Sequence, residues 1–247
     1  MHKLLAVLIS GAILAGCGPK KSKGPDGSVR IYPCRRVKGT IKVDGKIDEL
    51  AWKLAFYESK FTVAGTESEP RAGTAMRFVW DDEFLYVACV MMDLDVCAVL
   101  KEHDAKLWLD DAVAVILKPY AERGYYYEIQ VNPLGTVRDM LVGARGAGSD
   151  HRWTPWQSGT KTGIVVEGSM NDWSDEDKGW MFEAAIPLKA FAPQTPKPQL
   201  GDRWRFAVGR INYSVHLPGG REETCSARLA EPDLHRYEEY DILEFAD

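Results

Sequence analysis

Short apolar runs separated by turn residues fill the chain from residue 41 onwards. Residues 125–132 alternate, with Tyr127, Ile129 and Val131 on one face and polar side chains on the other. Phe84–Met92 is apolar almost throughout, as in a strand that is buried on both faces. The same criteria predict strands at 41–43, 74–80, 111–118, 136–142, 164–170, 180–186, 203–213 and 241–245.

Helical signals are few along this chain. The clearest is a short segment over residues 49–54, with Asp48 in position to cap its start. Many short strands at close spacing, with very little helix, predict an all-β fold. We expect an antiparallel β-sandwich of the jelly-roll or immunoglobulin-like kind.

The N-terminal segment has a different character. After Lys3, an apolar run over residues 4–14 is too short to span a bilayer and is typical of a signal peptide. It ends in Leu14-Ala15-Gly16-Cys17, which resembles the lipobox of bacterial lipoproteins, where the Cys is lipidated after cleavage. An ordinary signal peptide with an incidental Cys17 is the alternative.

The predicted organisation has three parts. Residues 1–16 form the signal peptide, residues 17–35 the lipidated Cys17 with a flexible tether rich in Lys, Pro and Gly, and residues 36–247 one domain. The predicted location is the cell envelope, with the lipid anchor in the membrane. Gly18 follows the Cys, which favours the outer membrane if the host is Gram-negative.

Composition narrows the possible partners. The net charge of −5 argues against nucleic acid, and an apolar content of 45% is enough for a sizeable core. Four cysteines follow Cys17, and four cysteines allow three disulfide pairings. The preferred pairs are Cys34 with Cys225 and Cys89 with Cys97. Metal binding by these thiols is not expected, because no CxxC motif is present.

A series of motifs occurs in the order found in one known family. They are IKVDGKIDELAW at 41–52, VWDDEFLYV at 79–87, WLDDAV at 108–113, YEIQVNPLGT at 127–136, GW at 179–180, EAAIP at 183–187, GDRW at 201–204, RIN at 210–212 and LEF at 243–245. Together they resemble carbohydrate-binding module family 9 over roughly residues 37–245. The order of the motifs makes this resemblance more specific than any motif alone.

The resemblance implies a β-sandwich that binds saccharides without hydrolysing them and uses no cofactor, although some members hold structural calcium. Trp108 matches the family's sugar-stacking Trp, and an aromatic ring suits the apolar face of a pyranose. Polar contacts are expected from residues chosen by motif position and strand face: Asp111, Gln130, Asn132, Arg210 and Asn212. The alternative for the polar residues of strand 125–132, including Glu128, is a solvated sheet face.

Three positions depart from the family pattern. Ala114 and Lys118 stand where the family usually has Glu and Asp, and Leu234 stands where a second stacking aromatic is expected. Tyr237 and Tyr240 are the nearest aromatics. The loop around Trp153 and Trp156 could lend a second ring instead, or could wrap the end of the sandwich.

Two chemical rivals and one metal site have sequence features of their own. A glycosidase needs two carboxylates across a cleft, but no Asp or Glu here lies in a recognisable catalytic motif. Haem ligation could use Met91, Met92 and His103, although no CxxCH motif is present. The acidic loop 172–177 could hold calcium or could be a solvated loop.

The sequence therefore predicts a non-catalytic, saccharide-binding lipoprotein that is membrane-anchored and supports polysaccharide breakdown or uptake. The alternative is a surface scaffold or adhesion lipoprotein that kept the fold and lost sugar binding. Its protein partners are unspecified.

Overall fold

The computed structural model describes residues 29–146 and 156–247. Within these residues there are thirteen strands, one short α-helix (α1) and four 3-10 turns. The strands are β1 Ile31–Arg36, β2 Tyr57–Glu58, β3 Thr62–Val63, β4 Thr74–Trp80, β5 Phe84–Met92, β6 Ala112–Lys118, β7 Tyr126–Val131, β8 Val137–Val142, β9 Lys161–Glu167, β10 Gly179–Pro187, β11 Arg203–Tyr213, β12 Arg221–Cys225 and β13 Asp241–Ala246. The helix is α1 Leu50–Leu54, and the 3-10 turns are Leu107–Leu109, Leu188–Phe191, Pro218–Gly220 and Tyr237–Glu239. None of these helices is long and apolar enough to cross a membrane.

The strands form one continuous sheet whose two halves enclose the core. Its order is β8-β7-β6-β11-β13-β1-β4-β5-β10-β9, with β12 added to β11, β3 to β12 and β2 to β4. The all-β prediction is confirmed. The prediction of a purely antiparallel sheet is wrong, because β1 pairs in parallel with both β13 and β4. The jelly-roll or immunoglobulin-like subclass stays a prediction.

The main core lies between the two halves of the sheet. Alternation along β11 turns Trp204, Phe206 and Val208 inward, where they meet inward side chains from β4, β5 and β10. Phe206 packs edge-to-face against Tyr32 at 5.2 Å and Phe78 at 5.1 Å between ring centroids. Each such buried aromatic stabilises the fold by about 1.5–3 kcal/mol, so this layer fixes how the halves face each other.

The segment between β1 and β2 covers the outer surface of one half. Trp52 of α1 is buried, and its indole N–H donates to Glu183 Oε1 at 2.6 Å. The backbone N–H groups of Asp44 and Gly45 donate to the other oxygen of Glu183 at 2.9 and 2.7 Å. The predicted strand at 41–43 is wrong: in this covering segment those residues form no strand.

The predicted capping of α1 is also wrong. Glu49, not Asp48, occupies the N-cap position, and its side chain makes no capping hydrogen bond. The short helix α1 is held in place instead by the burial of its Trp52 side chain.

The chain between β12 and β13 covers the outer surface of the other half. Here small residues of the sheet, including Ala114 and Ala207, lie under Leu229 and Tyr240. Residues 226–240 therefore rest close to the backbone of β6 and β11. This cover forms one side of the functional site described below.

The predicted boundary between tether and domain is too late in the chain. Residues 31–35, assigned to the flexible tether, belong to β1 between β13 and β4, and Tyr32 and Cys34 lie in the main core. Residues 1–28 lie outside the described part, and with them the predicted signal peptide and Cys17.

Both preferred disulfides are wrong. Cys34, Cys89, Cys97 and Cys225 are all free thiols. Cys34 belongs to the core between the sheet halves, whereas Cys225 belongs to the cluster on the outer surface. The sheet therefore separates the first predicted pair. Cys97 is half-buried beside the carbonyl of Tyr213, whereas Cys89 lies in the main core.

Candidate functional site

The outer surface of β6, β7 and β8 carries a group of polar side chains beside Trp108, here called the polar face. Alternation along β7 buries Tyr127 and Ile129 in the core and turns Glu128 and Gln130 to the opposite side. Strand register then places Gln130 between Ala114 of β6 and Arg138 of β8. Local alternation and sheet pairing together therefore create a polar row across three strands.

Trp108 forms one end of this row. It lies in the 3-10 turn Leu107–Leu109, which is fixed by the fully buried Leu107. The hydroxyl of Tyr213 donates to the carbonyl of Trp108 at 2.9 Å. The guanidinium carbon of Arg138 lies 4.9 Å from the ring centroid, a cation–π distance. The half-buried ring of Trp108 is thus held against a side chain that neighbours Gln130.

The centre of the polar face has unpaired hydrogen-bond acceptors. Gln130 Nε2 donates to Glu128 Oε1 at 2.7 Å, while Gln130 Oε1 and Glu128 Oε2 are buried and accept no hydrogen bond from any described residue. His235 Nδ1 lies 3.8 Å from Glu128 Oε2 and 2.9 Å from the hydroxyl of Tyr126. Buried acceptors without donors are unfavourable by about 1–3 kcal/mol each.

The side of the polar face next to β11 is lined by small and aliphatic residues. Ala114 pairs with Gly209, and a Cβ added at Gly209 would lie 2.7 Å from Leu234 Cδ1. Leu234 therefore fills the space above Gly209, at the position where the resemblance leads us to expect a second aromatic. The hydroxyl of the buried Tyr240 donates to the carbonyl of Leu234, and Tyr237 packs against the ring of Tyr126 at 5.5 Å.

Asp111 is not a surface residue, and the prediction that it contacts saccharide is corrected. It is fully buried, and its two oxygens accept from the backbone N–H groups of Cys97 and Tyr213, each at 2.7 Å. Burial and the neighbouring charge of Asp93 raise the pKa of Asp111 to about 8. Its role is to join the loop after β5 to the end of β11.

Asn132 is also used within the fold. Its amide Nδ2 donates to the carbonyl of Leu100 at 2.8 Å and to Asp110 at 2.9 Å. Its Oδ1 accepts from the backbone N–H groups of Leu134 and Thr136, which closes the turn between β7 and β8. The structure therefore assigns Asn132 to the turn rather than to a ligand.

Arg210 and Asn212 lie on the inner side of β11, so the structure corrects their predicted place in the site. Arg210 is 1% exposed and pairs with Asp93 at 3.0 Å, while it also donates to the carbonyl of Met92 at 2.7 Å. Asn212 is 3% exposed, and its Oδ1 accepts no hydrogen bond from the part of the chain that the structure describes. Even-numbered positions of β11 face the core with Phe206, away from the polar face.

Of the predicted contact residues, the structure brings together Trp108 and Gln130. Sequence reasoning missed Arg138 and His235, and for Glu128 it left two alternatives open, the polar floor of a site and a solvated sheet face. The register of the β7–β8 hairpin could have identified Arg138, because the turn at 132–135 sets Gln130 opposite it. His235 is brought in by the chain after β12, for which the local pattern holds no signal.

Side-chain positions bear on three further sequence hypotheses: a second aromatic platform, haem ligation and calcium binding. Trp156 packs in the core, 4.8 Å from the ring of Tyr127, and donates to the carbonyl of Ala190, so it supplies no second platform; Trp153 lies outside the described residues. Of the side chains considered for haem ligation, Met91 is buried in the main core, whereas Met92 and His103 are exposed.

Two carboxylates of the acidic loop 172–177 accept hydrogen bonds within the protein. Asp177 accepts from the N–H groups of Ser169 and Val96, and Asp172 accepts from the N–H and hydroxyl of Ser174. In the part of the chain that the structure describes, the one group of three metal-ligand side chains within reach of a single ion lies elsewhere. Two of the four carboxylates of the loop are therefore engaged in hydrogen bonds, and calcium binding there stays an alternative to a solvated loop.

Curated relatives and solved structures resemble this chain. Endo-1,4-beta-xylanase A of Thermotoga maritima is 27% identical over 169 residues, and that of Thermotoga neapolitana is 30% identical over 163 residues. Each match covers 66% of this chain but only 13% of the xylanase, so the chain spans a small part of those enzymes.

Solved structures share the fold at low sequence identity. A candidate carbohydrate-binding protein from Bacteroides uniformis superposes with a TM-score of 0.70 at 13% identity, covering 87% of this chain and 98% of its own. A carbohydrate binding module family 9 from Caldicellulosiruptor kristjanssonii in complex with cellotriose has a TM-score of 0.58 at 14% identity, covering 87% and 93%. The family model for carbohydrate family 9 binding domain-like proteins matches residues 43–208. The chain belongs to this family, as the order of its motifs predicted.

Proposed function

We propose that this protein binds a saccharide on the polar face without catalysing its hydrolysis. The observation that carries the proposal is the half-buried Trp108 at the end of a polar row in which Glu128 Oε2 and Gln130 Oε1 have no hydrogen-bond partner among the described residues. Membership of a family of binding domains supports the same function. The xylanases match over 13% of their length, which agrees with a binding part of a larger enzyme.

The chemistry of the polar face suits a pyranose ring. One ring face presents C–H groups, which stack on an indole, and the equatorial hydroxyls point outward as donors and acceptors. Trp108 would take the apolar face. Glu128 and Gln130 would accept hydroxyl protons, and the guanidinium of Arg138 would donate to hydroxyl oxygens.

The ligand class that we propose is a short, neutral β-linked oligosaccharide of glucose or xylose. The solved family 9 modules from Caldicellulosiruptor kristjanssonii were captured with cellotriose and with glucose, the latter at a TM-score of 0.53. The curated relatives are named as xylanases. One aromatic platform and a narrow polar row match one or two sugar units rather than an extended chain.

We further propose that the protein is held at the cell envelope by a lipid on Cys17. The apolar run at 4–14 and the Leu14-Ala15-Gly16-Cys17 order support this, with the outer membrane favoured in a Gram-negative host. The anchored domain would keep saccharides near the cell surface, in support of polysaccharide breakdown or uptake. Incorporation of labelled palmitate that stops in Cys17→Ser, at equal protein level, is the expected result; equal labelling of both would refute the anchor.

Binding is tested by titrating the purified protein with cellotriose and xylotriose in a calorimeter. We expect wild type to bind, and Trp108→Ala to lose at least about tenfold in affinity, the scale of one aromatic contact. Trp173→Ala is the matched control, because Trp173 is 64% exposed in the acidic loop. Gln130→Ala should also weaken binding. Equal affinity in Trp108→Ala and wild type, with both folded by circular dichroism, would refute the proposed platform.

A scaffold or adhesion protein without sugar binding is the second candidate function. Leu234 favours it, since an aliphatic side chain fills the space above Gly209 where a second ring would stack. This candidate predicts that folded wild type binds no saccharide in a broad glycan array. Binding of any glycan that depends on Trp108 would exclude it.

A further inference from the structure

We propose that His103, Asp104 and Asp139 form a binding site for one divalent transition-metal ion, here called the His–Asp cluster. His103 Nε2 lies 3.5 Å from Asp104 Oδ2 and 3.6 Å from Asp139 Oδ1. All three ligand atoms lie within 4.8 Å of one another. The cluster is separate from the polar face and from the acidic loop, and it goes beyond saccharide binding.

The side chain of Asp139 points to a missing ligand. It is 1% exposed, and its Oδ2 accepts from the backbone N–H of Ser158 at 2.6 Å and from the Ser158 hydroxyl. Its Oδ1 faces His103 and, within residues 29–146 and 156–247, is buried without a hydrogen-bond partner. A buried carboxylate oxygen without a donor is unfavourable, and a cation bound at this oxygen removes that deficit.

Asp104 is held in position to contribute a ligand. Its backbone lies in the left-handed region at φ +63°, and its N–H donates to the carbonyl of Val137 at 3.1 Å. Its Oδ1 accepts from the backbone N–H of Asp139 at 3.3 Å, while its Oδ2 accepts from Gln157 Nε2 at 3.0 Å and lies 3.5 Å from His103 Nε2. Both ligand carboxylates are thus fixed by hydrogen bonds to their second oxygens, as is usual for metal ligands.

The spacing of the ligand atoms suits a tetrahedral ion. Zn–N and Zn–O bonds of about 2.0–2.1 Å give ligand-to-ligand distances of about 3.4 Å in a tetrahedron. The distances of 3.5 and 3.6 Å from His103 Nε2 agree with that edge. Gln157 Oε1, at 2.6 Å from the same nitrogen, would move aside or become a fourth ligand. One imidazole and two carboxylates favour zinc or a similar metal over calcium, which prefers oxygen ligands alone.

The position of the cluster gives the ion a structural role. The sheet order ends at β8 and β9, and a groove of about 1290 Å³ lies beside these two edges. His103, Asp139 and Gln157 line that groove, and the His103 side chain is 49% exposed, so ions have access. A bound ion would tie the loop before β6, the strand β8 and the segment that leads into β9.

The test uses the purified full-length protein and zinc alone. After EDTA treatment and dialysis against micromolar ZnCl₂, we expect about one zinc per chain by atomic absorption, and a melting temperature raised by a few degrees, about the effect of zinc at 100-fold its Kd. His103→Ala should bind zinc at least about tenfold more weakly. His216→Ala, which removes an exposed histidine outside the cluster, is the matched control and should behave as wild type.

Two results would overturn the site. One is a wild-type protein that retains no zinc and shows no thermal shift. The other is equal zinc affinity in His103→Ala and wild type, which would mean adventitious binding elsewhere. Asp139→Asn is a second variant with the same expected loss; because Asp139 also holds Ser158, its folding is checked by circular dichroism, and His103→Ala decides the question if it unfolds.

Discussion

A buried group of charges around Asp111 should make the stability of this protein fall as the pH rises. Asp111, Asp93 and Arg210 lie together inside the fold, with two carboxyls for one guanidinium. Burial and the charge of Asp93 raise the pKa of Asp111 to about 8, against 3.8 for an ordinary Asp. The folded protein therefore keeps a proton that the unfolded chain releases at neutral pH.

The sign and size follow from proton linkage. Between the unfolded and folded pKa values of Asp111 the folded state binds more protons, so the free energy of unfolding falls by about 1.4 kcal/mol for each pH unit. The contribution is fully present below pH 3.8 and is lost as the pH rises to about 8. From about pH 6 to about pH 7.5 the expected loss is about 2 kcal/mol.

The assay compares urea unfolding of wild type and Asp111→Asn at those two pH values. Asn has nearly the same shape as Asp, but an amide group replaces one of the two oxygens that accept from the N–H groups of Cys97 and Tyr213. The variant should therefore be less stable than wild type by about 1–3 kcal/mol at both pH values. Its slope with pH should be shallower than that of wild type by about 2 kcal/mol over the interval. Titrating groups remote from Asp111 and Asp93 are common to both proteins and cancel in the difference.

Asp172→Asn is the control for removing a carboxyl. Hydrogen bonds from Ser174 lower the pKa of Asp172, which is exposed and ionised throughout the interval, so the variant should keep the wild-type slope. Equal pH slopes in wild type and Asp111→Asn would refute the reasoning, since they would mean that Asp111 carries no proton in the folded state at neutral pH.

Three other predictions test the fold. A chain that starts at residue 37 lacks β1 and should show no cooperative thermal unfolding, whereas one that starts at residue 29 should fold; cooperative melting of the shorter chain would contradict the central place of β1. Cys97, which is half-buried, should be alkylated by iodoacetamide before the three fully buried thiols in peptide mass maps, and a disulfide-linked peptide would contradict the structure. Gly163→Ala should destabilise the protein by about 1–3 kcal/mol in urea, because its Cβ would lie 2.6 Å from Asp44 Cα; an unchanged midpoint would show that this contact relaxes freely.

Much of the sheet could be predicted because strand patterns are local. The predicted strands at 74–80, 84–92 and 203–213 coincide with β4, β5 and β11. Their apolar pattern is clear because side chains of all three strands are buried in the same main core. The prediction at 164–170 begins three residues after the start of β9, whose exposed first residue, Lys161, carries no apolar signal. β1 was missed because its partners, β13 and β4, are distant in sequence.

The polar residues of the site were harder to predict, for a physical reason. Asp111 and Arg210 are charged side chains of the kind that often bind ligands. In the fold, however, Asp111 accepts from the N–H of Tyr213 and Arg210 pairs with Asp93, each about a hundred residues away in the chain. Whether a polar side chain serves the fold or a ligand depends on such distant contacts. Strand alternation does place Gln130 on the side of β7 away from the main core, but its burial, at 6% exposed, comes from contacts that the local pattern does not contain.

The two proposed sites are linked through one side chain, and that link makes a last prediction. Arg138 donates from Nη1 to the carbonyl of Asp104 at 2.7 Å, while its guanidinium lies over the ring of Trp108. An ion that fixes Asp104 therefore also favours the arrangement in which Arg138 supports the platform.

Because such coupling is reciprocal, zinc should tighten saccharide binding, and saccharide should tighten zinc binding, by the same factor. We expect about fivefold, the lower end for coupled sites. Saccharide titrations of wild type in zinc and in EDTA measure the factor. In Arg138→Lys the planar group that joins the Asp104 carbonyl to the Trp108 ring is lost, so its two affinities should be equal. Equal affinities in zinc-loaded and zinc-free wild type would show that the His–Asp cluster and the polar face act independently, because the chain of contacts through Arg138 would then transmit no free energy.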